Sequence, residues 1–234
     1  MFRSLLWGIF GILCGIGLRL QVRRHRTPSR RVSTKDDVIQ SVEPLLVNGT
    51  LKELGQDGVD LGQTRSLILA CGDADRFPEL LGFHQDATNN VYHHVIAVNG
   101  GAFLMYRFWT RWALFTQIVW AIRLKELEMI SLYVHWPCGA AMNIHNLELG
   151  EVIRRLQWVR QWLEKALTVV AHGKLAMIKV RPQVLALVHV DRCCHSHETN
   201  GKVMTTYLVA GSPTPKKLGA VLSFRKPATK IARQ

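Results

Sequence analysis

The sequence predicts an α/β layer fold, a mostly parallel central sheet flanked by helices with an antiparallel strand at its edge. Three observations lead there. Short unbroken apolar runs of strand length recur between residues 66 and 209. Long segments with helical apolar spacing alternate with them. The last two runs are separated by Asn200-Gly201, a hairpin signal.

Taken in order, Ser66–Cys71 (SLILAC) is a continuous apolar run, as a strand buried on both faces requires. Tyr92–Val98 (YHHVIAV) is a second, closed by Asn99-Gly100-Gly101. From Leu104 to Glu128, apolar residues at 104, 108, 112, 115, 119 and 122 define one face of a long helix. Met129–Val134 (MISLYV) forms a third strand, ending at His135. Leu147–Val170 reads as a second helix, with Leu149, Ile153, Leu156, Val159, Leu163 and Leu167 on one face. Its other face carries Arg154, Arg155, Gln157, Arg160, Gln161 and Glu164, and Gly173 closes it. Gln183–Val190 and Val203–Val209 complete the strands. The sequence shows no internal repeat.

Length and composition suit one domain with tails. The 234 residues are 48% apolar and 20% charged, which excludes disorder, collagen-like repeats and a coiled coil. The net charge of +13 is concentrated at the ends. Residues 1–35 hold eight Lys/Arg and no acid, and residues 199–234 hold seven and no acid. That leaves 15 basic against 17 acidic residues in 36–198, a net of −2. A nucleic-acid-binding domain carries its basic face on the fold, so specific nucleic-acid binding is not expected. Cationic ends on a neutral body read as membrane-surface electrostatics. Five cysteines in no regular pattern argue against a disulfide framework and leave thiolate or metal chemistry open.

Ser4–Leu18 is a run of fifteen uncharged, mostly apolar residues between Arg3 and Arg19. As a helix it would span about 22 Å, short of the roughly 30 Å hydrocarbon core unless its arginines snorkel. The arginine cluster at 23, 24, 26, 30 and 31 follows the run, which places the body on the cytoplasmic side of a membrane by the positive-inside rule. A cytoplasmic or organelle-targeted chain is the alternative. The expected organisation is an apolar anchor or targeting segment with a basic linker over residues 1–37, an α/β domain over 38–212, and a basic tail over 213–234.

In open α/β sheets, functional groups collect at the carboxyl ends of strands. Two such ends carry metal-ligand types. The first strand runs into Cys71-Gly72-Asp73-Ala74-Asp75-Arg76, and the third into His135-Trp136-Pro137-Cys138-Gly139. Cys71, His135 and Cys138 make a Cys₂His set, a ligand group of catalytic zinc that leaves the fourth position open.

Taken together, these turns resemble those of the β-class carbonic anhydrases. That family has a C-x-D-x-R turn after its first core strand, an R-N-x-G turn after its second, a long helix, and a strand ending in H-x-x-C-G. Here the corresponding stretches are Cys71-Gly72-Asp73, Val98-Asn99-Gly100-Gly101, the helix from Leu104 and His135-Trp136-Pro137-Cys138-Gly139, with Thr199-Asn200-Gly201 closing the series over roughly residues 64–210. The resemblance implies a zinc site at Cys71, His135 and Cys138, with Asp73 and Arg76 as a catalytic dyad. In the dyad the arginine holds the carboxylate and the aspartate orients a zinc-bound hydroxide. Three departures stand out. Arg76 falls one residue late, with Asp75 beside it; the extra residue would rotate Arg76 away from Asp73 unless the turn bulges or Asp75 takes the carboxylate's role. Val98 stands where the second turn has arginine. Pro137 stands where an acidic residue is frequent.

The implied activity is reversible hydration of CO₂ to bicarbonate by a Zn²⁺ enzyme, a carbonic anhydrase. The alternative is a non-catalytic, membrane-tethered zinc-binding or scaffold relative with a degenerate Asp–Arg dyad. The resemblance also implies a homodimer. Independently, the aromatic surplus on the first long helix (Tyr106, Phe108, Trp109, Trp112, Phe115, Trp120) calls for a partner, whether a subunit or a membrane. Cys193-Cys194-His195-Ser196-His197 is a rival ligand cluster, but adjacent side chains on an extended chain point apart, and an exposed loop is the simpler reading. His93 and His94 likewise alternate, one of them a buried, hydrogen-bonded histidine, and His145 is a weaker candidate for a proton shuttle.

Overall fold

The computed structural model describes residues 35–54, 65–73, 76–88, 93–172, 178, 181–191 and 204–212. The chain divides into two units, 1–32 and 33–234, and all described residues belong to the second. The Ser4–Leu18 run, Asp75, Gly173, the Cys193–His197 cluster, Thr199–Gly201 and the basic tail lie outside the described residues.

Six strands form one sheet in the order β1-β6-β5-β4-β2-β3. They are β1 (Leu51–Glu53), β2 (Ser66–Ala70), β3 (His94–Ala97), β4 (Met129–Trp136), β5 (Gln183–Asp191) and β6 (Met204–Val209). Strands β3, β2, β4 and β5 are parallel, β6 runs antiparallel to β5, and short β1 caps it on the far side, again antiparallel. The expected class, a mostly parallel sheet with an antiparallel edge flanked by helices, is therefore present. Among the described residues, four α-helices accompany it: α1 (Lys35–Val47), α2 (Phe77–Thr88), α3 (Phe108–Lys125) and α4 (Leu149–His172).

The central strands are buried on both faces, which explains their unbroken apolar runs. All of β2 and all of β4 are buried. On α4 the spacing proves accurate: Leu149, Ile153, Leu156, Val159, Leu163 and Leu167 are each at most 1% exposed. Fully burying one such side chain is worth about 1.5–3 kcal/mol, so this stripe fixes α4 against the sheet. Arg160, expected on the polar face, is instead buried at 7% exposure and paired with Glu164 at 2.8 Å.

Other expectations need correction. The first long helix is two pieces: a 3₁₀ segment, Gly101–Tyr106, then a break at Arg107 in extended conformation, then α3. Its core-facing stripe is Leu114, Phe115, Ile118, Val119, Ala121 and Ile122, whereas Phe108 and Trp112 face outward. Phe115, Val119 and Ile122 of the expected face are buried as read, but with apolar residues all round the helix, spacing alone extended that face to Phe108 and Trp112. The basic linker is expected to run to residue 37, yet α1 begins at Lys35, with Asp36 and Asp37 in its first turn. α2 was not expected, although Pro78 and Glu79 are ordinary first-turn residues.

A polar network crosses beneath β2. Buried His84 sits with Nε2 2.9 Å from Ser66 Oγ and Nδ1 3.0 Å from the Tyr133 hydroxyl, while His93 Nδ1 lies 2.7 Å from the same Ser66 oxygen. Burial, and then the neighbouring His93, push the His84 pKa from 6.5 to about 3. The unfolded chain takes up this proton near 6.5 and the folded chain only near 3, so stability falls as pH drops below 6.5. Urea unfolding followed from neutral pH downward should show a declining midpoint, with His84 contributing a slope of up to about 1.4 kcal/mol per pH unit. A flat profile through that window would contradict a neutral, buried His84.

Candidate metal centre

Cys71, the first residue past β2, is positioned by the turn it enters. Val98 N–H donates to the Ala70 carbonyl (2.9 Å) and Gly72 N–H to the Val98 carbonyl (3.3 Å), tying the ends of β2 and β3 together. The Gly100 amide then donates to Cys71 Sγ at 3.1 Å. His135 lies within β4, one residue from its end, and its imidazole is 3% exposed. After the cis Trp136–Pro137 bond, Cys138 opens a short helical turn, its carbonyl accepting from Met142 N–H at 2.9 Å. The amides of Ala140 and Ala141 donate toward its sulfur.

These three residues, distant in sequence, place one donor atom each within 4.8 Å of one another. The geometry brings together the three residues that the sequence singled out as ligands. Among the described residues this is the one group of three or more His, Cys, Asp or Glu with such spacing.

The donor set fits a cation. Both ring nitrogens of His135 are buried without a hydrogen-bond partner, a costly arrangement for a polar group removed from water. The two thiols hydrogen-bond to each other; that contact, with smaller help from His135 and the Gly100 amide, pulls the Cys71 thiol well below its ordinary range. The same contact, with burial, pushes Cys138 up. The pair thus loses its first proton easily and holds the second. A cation between the sulfurs favours loss of both, and backbone N–H groups aimed at sulfur are the usual support of metal thiolates.

The structure resolves the question of the displaced arginine. Arg76 does not turn away: its Nη1 donates to Asp73 Oδ2 at 3.1 Å. Arg76 N–H and Phe77 N–H both reach the Asp73 carbonyl (3.3 and 2.9 Å) just ahead of α2. Asp73 and Arg76 stand three apart in sequence, and their side chains meet as an ion pair. Asp73 Oδ2 lies 3.7 Å from His135 Nε2, beside the three donors.

Two residues at this end of the sheet were missed. Asp191, the last residue of β5, accepts from Arg76 Nη2 at 3.1 Å, so Arg76 is gripped from both sides. His189 lies directly opposite His135 in the β4–β5 register. Its Nδ1 is 2.7 Å from Thr206 Oγ1, its Nε2 is buried without a partner, and burial, followed by nearby His135, lowers its pKa to about 4. Strand-end position was the available signal for both, but Cys193–His197 drew attention past them. His145 packs edge-on against Phe103, with Nδ1 3.1 Å from Arg107 Nη2.

No family model matches the sequence, and no curated protein matches it. Solved structures similar to it include two carbonic anhydrases. One is a carbonic anhydrase from Streptococcus mutans, at 12% identity and a TM-score of 0.32, covering 68% of this chain and 93% of that one. The other is β-carbonic anhydrase isoform I from Trichomonas vaginalis, at 15% identity and a TM-score of 0.28, with the same shares covered. At scores this low, the functional case rests on the residues and distances above.

Gly101 tests how tightly the centre is built. Its φ is +73°, and a Cβ there would lie 2.6 Å from the Tyr133 carbonyl oxygen and 3.1 Å from Cys71 N. Gly101→Ala should therefore cost about 1–3 kcal/mol or more in unfolding free energy and weaken metal retention, since Cys71 must shift. Chemical denaturation with metal analysis checks both; an unaltered variant would show that the turn is not constrained as described. Cys71→Ser or Cys138→Ser should each lose bound metal, because a neutral hydroxyl replaces a soft anionic donor. Full metal occupancy in either variant would remove that cysteine from the site.

Proposed function

We propose that the protein is a zinc-dependent carbonate dehydratase of the β-carbonic anhydrase type, interconverting CO₂ and bicarbonate. One observation carries this reading: an Asp73–Arg76 ion pair stands beside His135 in a cluster that also holds Cys71 and Cys138. A structural zinc site needs four ligands and no carboxylate anchored by arginine at its edge; a catalytic site uses three ligands and a neighbouring group that orients the reactant.

Cys71, His135 and Cys138 would hold the metal. Bound there, Zn²⁺ would supply Lewis acidity that lowers the pKa of water toward about 7. The protein's own groups do the rest. Asp73 accepts a hydrogen bond from the oxygen nucleophile and so aligns its lone pair with the carbon of CO₂. Arg76 keeps the carboxylate from swinging, because its guanidinium is held between Asp73 and Asp191 at 3.1 Å on each side. Such charge-assisted, bridged contacts are stronger and more directional than a single neutral hydrogen bond. In the hydration direction water adds its oxygen to CO₂ and loses one proton to solvent, leaving bicarbonate.

The non-catalytic alternative drew its support from a misplaced arginine. With Arg76 paired to Asp73, that support is gone.

Asp73→Asn separates binding from chemistry. It leaves Cys71, His135 and Cys138 intact but removes the anionic acceptor that Arg76 holds. The variant should retain about one zinc per chain and lose about 10²-fold or more of its CO₂ hydration rate, read by stopped-flow indicator assay alongside metal analysis. Zinc-loaded wild-type protein without hydration activity would refute the enzyme. An Asp73→Asn variant as fast as wild type would refute the assigned role of Asp73.

A further inference from the structure

The outward face of α3 is a surface that the metal centre does not explain. α3 buries Leu114, Ile118, Ala121 and Ile122, yet the opposite stripe is not polar. Trp109, Trp112 and Trp120 are 74%, 46% and 51% exposed, and Leu124 beyond them is 74% exposed. With 3.6 residues per turn, positions 109, 112, 116 and 120 follow one line along the helix. Phe108 contacts Trp109 and Trp112 edge-on, and Trp112 meets Trp162 of α4, so these rings form a continuous patch, with exposed Trp120 about two turns further along the same line. Contiguous apolar exposure of this kind marks a contact surface.

Charge selects the partner. Arg107 stands exposed at the start of α3, Arg111 lies over the Trp158 and Trp162 rings of α4 and Arg123 over Trp120; residues 101–125 contain no acid, and Glu126 just beyond them is paired with Arg65. Arg111 lies 4.8 Å from the Trp158 ring centroid and 5.1 Å from that of Trp162, and Arg123 lies 5.6 Å from that of Trp120. Glu151, at the start of α4, is already paired with Arg154 and Arg155. Two copies meeting through this stripe would bring like charges together, whereas anionic headgroups neutralise them. Tryptophan rings favour the headgroup level, and arginine stems lie along apolar surface while their heads reach phosphate.

We propose that the Trp109–Trp112–Trp120 face of α3 docks the domain onto an anionic phospholipid surface, with the helix lying in the plane of the bilayer. Among the described residues no helix is long and apolar enough to cross a membrane, and an 18-residue helix lying flat would present a stripe about 27 Å long. The inference is independent of the zinc reading.

The test uses the full chain carrying Trp7→Phe, so that the N-terminal apolar run contributes no tryptophan signal. It is mixed with phosphatidylcholine–phosphatidylserine vesicles whose acyl chains are brominated. Tryptophan emission should be quenched, weakly or not at all on phosphatidylcholine alone, and a chain that also carries Arg107→Glu and Arg123→Glu should partition about tenfold less well. Emission left unquenched, whether the chain sediments with the vesicles or stays free, overturns the proposal. So does a dimer in light scattering in which these tryptophans are shielded from aqueous iodide and indifferent to vesicles, since the face would then belong to a second copy.

Discussion

The parallel pairing of β2 with β4 is the constraint on which the rest of the molecule depends. It sets Leu67 against Ile130 and Leu69 against Leu132, at the middle of the sheet and buried on both faces. Because the strands run the same way, both deliver their carboxyl ends to one edge. Cys71 leaves β2 there, and His135 stands one residue from the end of β4. An antiparallel pairing would have put them at opposite ends. Gly101 presses against Cys71 N and the Tyr133 carbonyl, locking the crossover from β3 onto the same edge. A site made of residues 64 positions apart is thus a property of the core, and its rigidity comes from apolar burial rather than from the ligands.

That rigidity has a chemical consequence. A buried imidazole with no hydrogen-bond partner and two thiols in contact make an arrangement that apolar packing imposes and that a bound cation would relieve. The arginine bridge beside it has the same origin. Asp191 ends β5, which pairs with β4 from Trp136 back to Met129, so the register that aligns His189 with His135 also carries Asp191 toward Arg76. Four elements converge on one edge: the turn into α2, β4, the turn after it, and β5.

Legibility in the sequence followed the physics of burial. Strands buried on both faces are recognisable as unbroken apolar runs, and the α4 stripe was recognisable because its outer face is charged. The ligand trio was legible because strand ends and residue types coincided. α3 was legible as a helix and its face was read rightly at Phe115, Val119 and Ile122, but not at Phe108 and Trp112, since aromatic rings facing outward look like core. Whether Arg76 reached Asp73 could not be read from spacing, because it depends on how the chain approaches α2, where the Asp73 carbonyl accepts from both Arg76 N–H and Phe77 N–H. Asp191 and His189 were invisible for a different reason, since their partners come from β4, β6 and the Arg76 turn through tertiary pairing alone.

X-ray absorption at the zinc edge of the metal-loaded full chain tests the account at its centre. The shell around the metal should contain two sulfur atoms at about 2.3 Å and nitrogen or oxygen atoms at about 2.0–2.1 Å, as Cys71, Cys138 and His135 require with one position left for a light ligand. A shell of three or four sulfurs, or of none, would place the metal elsewhere and contradict a centre built on the ends of β2 and β4.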